Sequence, residues 1–301
     1  MIRVTYYFFY ALSLLPLWAL YGLADFFFLI LFYVIGYRKE VVWKNLKNSF
    51  PQKSNAELRV IRRRFYRCFM QNWIETIKLM TISRTAFNKR VTANWDVIKE
   101  LYETHPRVQL LMGHCFNWEW ACASCSLQQP YLLLPVYLMV SNQAMDQLFL
   151  TIRSRFGAKP VRAGEMARHL LPYRNTKYIL GLLADQSPPG PLNAYWINFM
   201  HQPTAFLKGP ERNARATGIP VVYISVQRLK RGYYHIHTEL FCMDPAATKE
   251  GELTKRYAQR MEQEIAARPH TYLWSHKRWK FVWTKQYEKL WVDPLVKMPR
   301  E

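Results

Sequence analysis

Acidic residues are scarce in this chain. Only 21 Asp and Glu stand against 42 Lys and Arg, a formal net charge of +21 over 301 residues. That imbalance points to a polyanionic partner, either nucleic acid or an anionic membrane with acidic substrates. Signatures of nucleic-acid recognition are missing too: there is no RNP-like, zinc-finger or helix-turn-helix pattern. Aromatic residues make up 16% of the chain, a composition suited to headgroup depth. A membrane surface is therefore the better reading of the charge. Cysteine is also sparse: the five, Cys68, Cys115, Cys122, Cys125 and Cys242, are odd in number and scattered. They offer no disulfide framework and fit a reducing compartment. A zinc site built on His114, Cys122 and Cys125 departs from the deaminase pattern, because the Glu lies too far from the His, Cys122 follows too soon, and the Pro is absent. No internal repeat, low-complexity tract or interdomain linker interrupts the body.

Charge is nearly absent from one long stretch. Between Val4 and Tyr37 the only formally charged residue is Asp25. A helix from Val4 to Ala24 would rise about 31 Å, close to the hydrocarbon thickness of a bilayer, with Pro16 able to kink it. The stretch lacks a small-residue cleavage pattern and is too long for a secretory signal. Phe26 to Ile35 is too short to cross alone, and continues the anchor or lies along the surface. Arg38, Lys39, Lys44, Lys47 and Lys53 follow, and only Arg3 precedes. By the positive-inside rule this places the body in the cytoplasm. The expected organisation is a membrane anchor over residues 1–37 and a cytoplasmic domain over 38–301.

Within the body, Ser54-Asn55-Ala56-Glu57 is a capping box that opens a helix to about Met80. Its arginines (59, 62, 63, 64 and 67) form either a solvated face or a contact for lipid phosphates or an acidic carrier protein. Apolar stretches at Val108–Met112, Tyr131–Val136, Tyr178–Ala184, Ile219–Val226 and Tyr234–Leu240 read as strands. Helical patterns fall at Asn117–Gln128, Asn142–Phe156, Gly164–Tyr173, Thr204–Thr217 and Lys249–Arg268. This alternation predicts an α/β sandwich, with helices around a central sheet.

The chemistry concentrates at Met112-Gly113-His114-Cys115-Phe116-Asn117-Trp118-Glu119. A buried strand ends, Gly113 permits a sharp exit, and a helix begins near Asn117. With His114 in the turn and Glu119 on the first helical turn, the two side chains can converge. A carboxylate on one imidazole nitrogen fixes the tautomer and frees the other as a base. From spacing alone, a satisfied histidine near a helix start remains open.

Together with Arg153-Ser154-Arg155, Leu183-Ala184-Asp185-Gln186, Gln202-Pro203-Thr204-Ala205-Phe206, Gly209-Pro210-Glu211-Arg212 and Trp274-Ser275-His276-Lys277-Arg278-Trp279-Lys280, this segment resembles the late acyltransferases of lipid A biosynthesis. They are a branch of the glycerolipid acyltransferase superfamily, and the resemblance covers nearly the whole chain. It implies a membrane-bound acyltransferase with the glycerolipid-acyltransferase-like sandwich around a mixed sheet, preceded by a transmembrane helix. The implied donor is acyl-acyl carrier protein and the implied acceptor a phosphorylated lipid A precursor, at the cytoplasmic face of a bacterial inner membrane. No metal or organic cofactor is implied. In this frame His114 is the base and Glu119 its orienter, and one of Arg153 and Arg155 clamps a substrate phosphate. Asp185 orients Arg or the acceptor sugar, or is a turn residue. Glu211 and Arg212 help hold the acceptor; equally, Glu211 and Arg215 form a structural i,i+4 pair. Cys115 is not expected to be a nucleophile, because adjacency to His114 supplies no activating geometry. His276, Lys277 and Arg278 are expected to add basic surface. The competing readings are an acyltransferase for another acceptor, such as a lysophospholipid, aminolipid or other glycolipid, and a non-catalytic basic membrane or nucleic-acid binder.

Overall fold

The computed structural model describes residues 2–293; Met1 and the end of the expected 38–301 unit lie outside them. The N-terminal apolar stretch forms two helices, α1 (Ile2–Leu14) and α2 (Leu17–Leu29), with a π-helical extension over Ile30–Ile35. Proline has no N–H to continue a helical ladder, so the chain breaks at Pro16. The continuous apolar helix is accordingly Leu17–Ile35, 19 residues of mean hydropathy 2.0, and not the Val4–Ala24 span expected from composition. It is long and apolar enough to cross a bilayer. Leu20, Tyr21, Ala24, Phe28 and Phe32 form a buried stripe on it, at helical spacing, while Trp18, Phe26, Phe27, Val34 and Ile35 are exposed. The stripe packs on α4 (Asn55–Lys78), which follows α3 (Lys39–Ser49). The capping box that opens α4 is complete: Ser54 accepts from the Glu57 N–H, and Glu57 accepts from Ser54.

The body continues with α5 (Arg84–Asn88), β1 (Val91–Asn94), α6 (Asp96–Thr104), β2 (Arg107–Met112), α7 (Trp118–Gln128), β3 (Leu132–Tyr137), α8 (Gln143–Ser154) and β4 (Val161–Arg162). Then come α9 (Met166–Leu170), β5 (Tyr178–Leu183), β6 (Ala194–Phe199), β7 (Gln202–Leu207), α10 (Gly209–Thr217), β8 (Val221–Lys230), β9 (Tyr233–Cys242) and α11 (Glu252–Ala267). Seven strands make one sheet in the order β1-β9-β8-β2-β5-β3-β4. Every neighbouring pair is parallel except β8 with β9. The mixed α/β sandwich expected from the strand and helix pattern is the observed architecture.

Both faces of the central strands are covered, which is why β3 and β5 are apolar nearly throughout, whereas β9, next to the sheet edge, alternates apolar and polar residues. Leu111, Leu134, Leu180 and Tyr223 join one core with α3, α4 and α11; Val108, Leu110, Leu133, Ile179 and Val222 join the other with α6, α7 and α8. Two elements differ from expectation. Thr204–Leu207, read as the start of a helix, belongs to β7, which pairs antiparallel with β6 in a separate hairpin. The helix begins only at Gly209. Gly164–Tyr173 breaks into short 3-10 and α turns, with Pro172 in the last of them.

Candidate active site

The register of the sheet brings the chemical groups together. β2 and β5 run parallel with Met112 opposite Leu183, so His114 and Asp185 leave adjacent strand ends on the same edge. In open α/β sheets that carboxyl edge is where ligands bind. Gly113 lets the turn pass close to α11: a Cβ there would fall 2.1 Å from Cε of Met261, so the end of that side chain would have to move. The turn that follows is stitched to the segment after α11: Leu273 N–H donates to the His114 carbonyl (3.1 Å), and Phe116 N–H donates to the Thr271 carbonyl (3.0 Å). Asn117 then caps α7, its Oδ1 accepting from Trp120 N–H.

His114 Nδ1 lies 2.7 Å from Oδ1 of Asp185, and the same oxygen accepts the His114 backbone N–H at 3.1 Å. An ionised carboxylate only accepts, so Nδ1 carries a proton, and the neutral imidazole then has its lone pair on Nε2. Nε2 faces the side-chain amide nitrogen of Gln186 at 3.1 Å. The Trp118 ring stands edge-on to the imidazole, centroids 5.1 Å apart. Burial pushes the Asp185 carboxyl upward, but His114 and Arg278 outweigh it and hold it below the usual carboxylate range.

Glu119 does not meet His114 in the expected way. Its carboxylate takes a fork from Arg153 on α8, with Nε at 3.0 Å from Oε2 and Nη2 at 2.5 Å from Oε1, and a further bond from Trp118 Nε1 at 3.2 Å. The physical reason is the partner's charge. A bidentate guanidinium satisfies a buried carboxylate better than a neutral imidazole does, and α8 packs against α7. Asp185, weighed in the sequence as an orienter of Arg or sugar or as a turn residue, occupies the position on His114 assigned to Glu119. Glu119 and His114 nevertheless line one cleft of about 300 Å³. Phe69, Trp73 and Phe149 supply its apolar wall; Arg38, Asn72, Thr76, Arg153, Gln186 and Ser275 supply its polar side. His276 also lines it, and its Nε2 accepts the Ser187 N–H at 3.2 Å. Burial and the nearby Arg278 guanidinium lower the His276 pKa to about 4.

The remaining expected site residues lie elsewhere. Arg155 donates to the Leu79 carbonyl and lines a separate cavity of about 510 Å³ with Tyr6 of α1. Of the arginine pair, Arg153 is the one in the cleft. Glu211 is buried, its oxygens accepting from Gly251 N–H (2.6 Å), Thr254 N–H (2.9 Å) and Thr254 Oγ1 (2.5 Å). It therefore caps α11 rather than facing the cleft, because the orphan N–H groups of a helix start attract a carboxylate. Arg212, one position on, points to solvent. Arg278, expected on the surface, is 2% exposed, and its Nη1 donates to the Ala205 carbonyl. Cys115 is fully buried, and burial pushes its thiol well above the ordinary range, so no thiolate is available there.

Gln186, Trp118, Arg38, Asn72 and Trp73 were not among the expected site residues. Gln186 and Trp118 stood inside segments already singled out, so adjacency to His114 or Asp185 was a usable signal. Arg38, Asn72 and Trp73 come from chain far from that motif and carried none.

The family model described as bacterial lipid A biosynthesis acyltransferase matches residues 3–281. No curated protein matches the chain.

Proposed function

Because the chain belongs to the bacterial lipid A biosynthesis acyltransferase family, and is an acyltransferase on that ground, we propose that His114 is its general base and that Asp185 sets the base's tautomer. The observation that carries this reading is the 2.7 Å contact of His114 Nδ1 with a buried carboxylate, which leaves Nε2 toward a cleft holding Arg153. A hydroxyl is a poor nucleophile near neutral pH. As an acceptor hydroxyl displaces the Gln186 amide, Nε2 takes its proton while the oxygen attacks the thioester carbonyl of the donor. The tetrahedral adduct collapses, the C–S bond breaks, and the imidazolium returns the proton to the departing thiolate. The Asp185 carboxylate stabilises the imidazolium between those steps. Glu119 acts one step away, holding Arg153 at the cleft wall, where its guanidinium recognises a phosphate of the acceptor.

The donor is acyl-acyl carrier protein and the acceptor a phosphorylated lipid A precursor. Exposed arginines at 59, 63, 64 and 67 on one helix support an acidic protein donor. Residues 1–37 attach the enzyme to the inner membrane, and residues 38–301 form the catalytic body at its cytoplasmic face. The uncovered apolar side chains of Val4, Phe8, Trp18, Phe27 and Val34 support that attachment, as do the cations that follow Tyr37.

The purified protein should be offered a lipid A precursor and a lysophospholipid in competition, with acyl-acyl carrier protein as donor. Transfer to the phosphorylated precursor, lost in His114→Ala, is the expected result. Preference for the lysophospholipid, or for a precursor stripped of phosphate, would move the assignment to another acceptor.

A further inference from the structure

Behind the catalytic turn lies a carboxylate that the chemistry above does not use. Glu75, in the last turn of α4, is wholly buried. Its Oε1 accepts from Tyr21 Oη at 2.7 Å; its Oε2 accepts from Asn117 Nδ2 at 2.9 Å and from Tyr234 Oη at 2.5 Å. Its backbone carbonyl accepts from Trp120 Nε1 at 2.9 Å. One residue thus gathers donors from α2, α7, β9 and the cap before α7. The nearby Arg228 guanidinium is bonded to Gln71 Oε1 (2.7 Å) and Cys68 Sγ (3.3 Å). Burying a carboxylate is costly unless its lone pairs are filled, and here three side-chain donors fill them.

The bond to Asn117 has a geometric consequence. An asparagine amide offers a donor at one end and an acceptor at the other. Glu75 only accepts while ionised, so it draws Nδ2 inward and leaves Oδ1 to cap the Trp120 N–H. Were the amide turned over, an oxygen would face the carboxylate and two donors would face each other at the cap. Asn117 stands three residues after His114 and two before Glu119. Its orientation therefore fixes where the turn enters α7, and with it both cleft side chains. Tyr21 brings the apolar helix α2 to the same carboxylate.

We propose that Glu75 is a positioning residue: it holds the His114–Glu119 turn through Asn117 and makes that hold depend on the seating of α2 through Tyr21. The proposal rests on the reading of His114 as the base.

The test measures kcat and KM for acyl transfer by the full chain, with thermal unfolding alongside. Glu75→Ala should lower kcat on the order of ten- to a hundredfold while KM for the donor stays within about twofold, since misplacing a catalytic group by about 1 Å costs about a hundredfold. Glu75→Gln, which keeps shape and an acceptor, should recover kcat to within about threefold. The Glu75→Ala/Asn117→Ala pair should fall no lower than its worse single member, the mark of two residues acting along one path. Tyr21→Phe removes one hydroxyl and should lower kcat about threefold. A Glu75→Ala protein with a lowered unfolding temperature but full kcat per folded molecule would reduce Glu75 to a structural role. Multiplicative losses in the pair, or wild-type kcat in Tyr21→Phe, would overturn the path through Asn117 or the link to α2 respectively. Where Glu75→Ala does not fold, Glu75→Gln, Asn117→Ala and Tyr21→Phe carry the test. If wild-type enzyme shows no transfer, or His114→Ala retains it, the reading of the base has failed instead.

Discussion

Glu119 and Glu211 look alike until their partners are seen. Each lies in the first turn of a helix, each is buried, and each sits in a segment that resembles a family motif. Glu119 meets the Arg153 fork at the cleft wall, whereas Glu211 is consumed by the backbone and hydroxyl donors at the start of α11. The first carboxylate balances a guanidinium that lines the cleft beside His114. The second fills a vacancy that every helix start has. What separates the two here is the donor each faces: a guanidinium at the wall of the cleft, or the N–H groups of a helix start.

The largest expected effect concerns the base. His114→Ala should lower kcat by roughly 10²–10⁴, and Asp185→Asn should follow most of the way, with both proteins folded. If Asp185→Asn keeps its rate while Glu119→Gln loses it, Glu119 and not Asp185 orients the imidazole, and the comparison of the two glutamates would need redrawing.

Next comes the ion pair. Glu119→Ala leaves Arg153 largely buried without its counter-charge and should destabilise the fold by about 3–5 kcal/mol. Removing both charges in Glu119→Gln/Arg153→Met should recover much of the unfolding temperature, but not transfer to a phosphorylated acceptor. Recovery of transfer along with stability would show that Arg153 does no more than neutralise Glu119.

Glu211→Ala supplies the contrast. Losing the acceptor for three donors should cost about 1–3 kcal/mol, read by denaturant unfolding, with kcat of the folded enzyme unchanged. A folded Glu211→Ala protein with a raised KM for the acceptor would return Glu211 to substrate binding.

The smallest effect is one of pH. His276 titrates at about 4 in the fold, below the ordinary value near 6.5. Between those values the unfolded chain binds a proton that the folded chain refuses. Stability from this group is therefore complete above about pH 6.5 and falls as pH drops toward 4, by on the order of 2 kcal/mol given its partial exposure. Unfolding measured across that window should be flatter in His276→Gln, and an unchanged slope would remove His276 from the balance.

Much of this was legible in the residues. The strand ending at Met112, the capping box at Ser54, the apolar run before Arg38 and the His114 turn all rest on local patterns, which neighbours in sequence are enough to enforce. The boundaries of the apolar helix were less legible, because hydropathy does not register the missing N–H of Pro16. The β7 strand was hidden for another reason: Thr204 to Leu207 suits either element locally, and only pairing with β6 decides it. Glu75 was invisible, being one acid in an arginine-rich helix whose donors come from Tyr21, Asn117 and Tyr234.

By itself, then, the sequence determined the class of the fold, the apolar N-terminus, the strand-Gly-His turn and the family. Each of these follows from periodicity, composition or a contiguous motif, which short-range sterics and burial translate into structure. Only the tertiary structure decided that Asp185 sits on His114, that Arg153 rather than Arg155 enters the cleft, and that Glu211 caps a helix. Those pairings depend on strand register and helix packing across intervals of 71, 34 and 43 residues. Over such separations no local rule acts, and a carboxylate takes the strongest donor that the fold brings within reach.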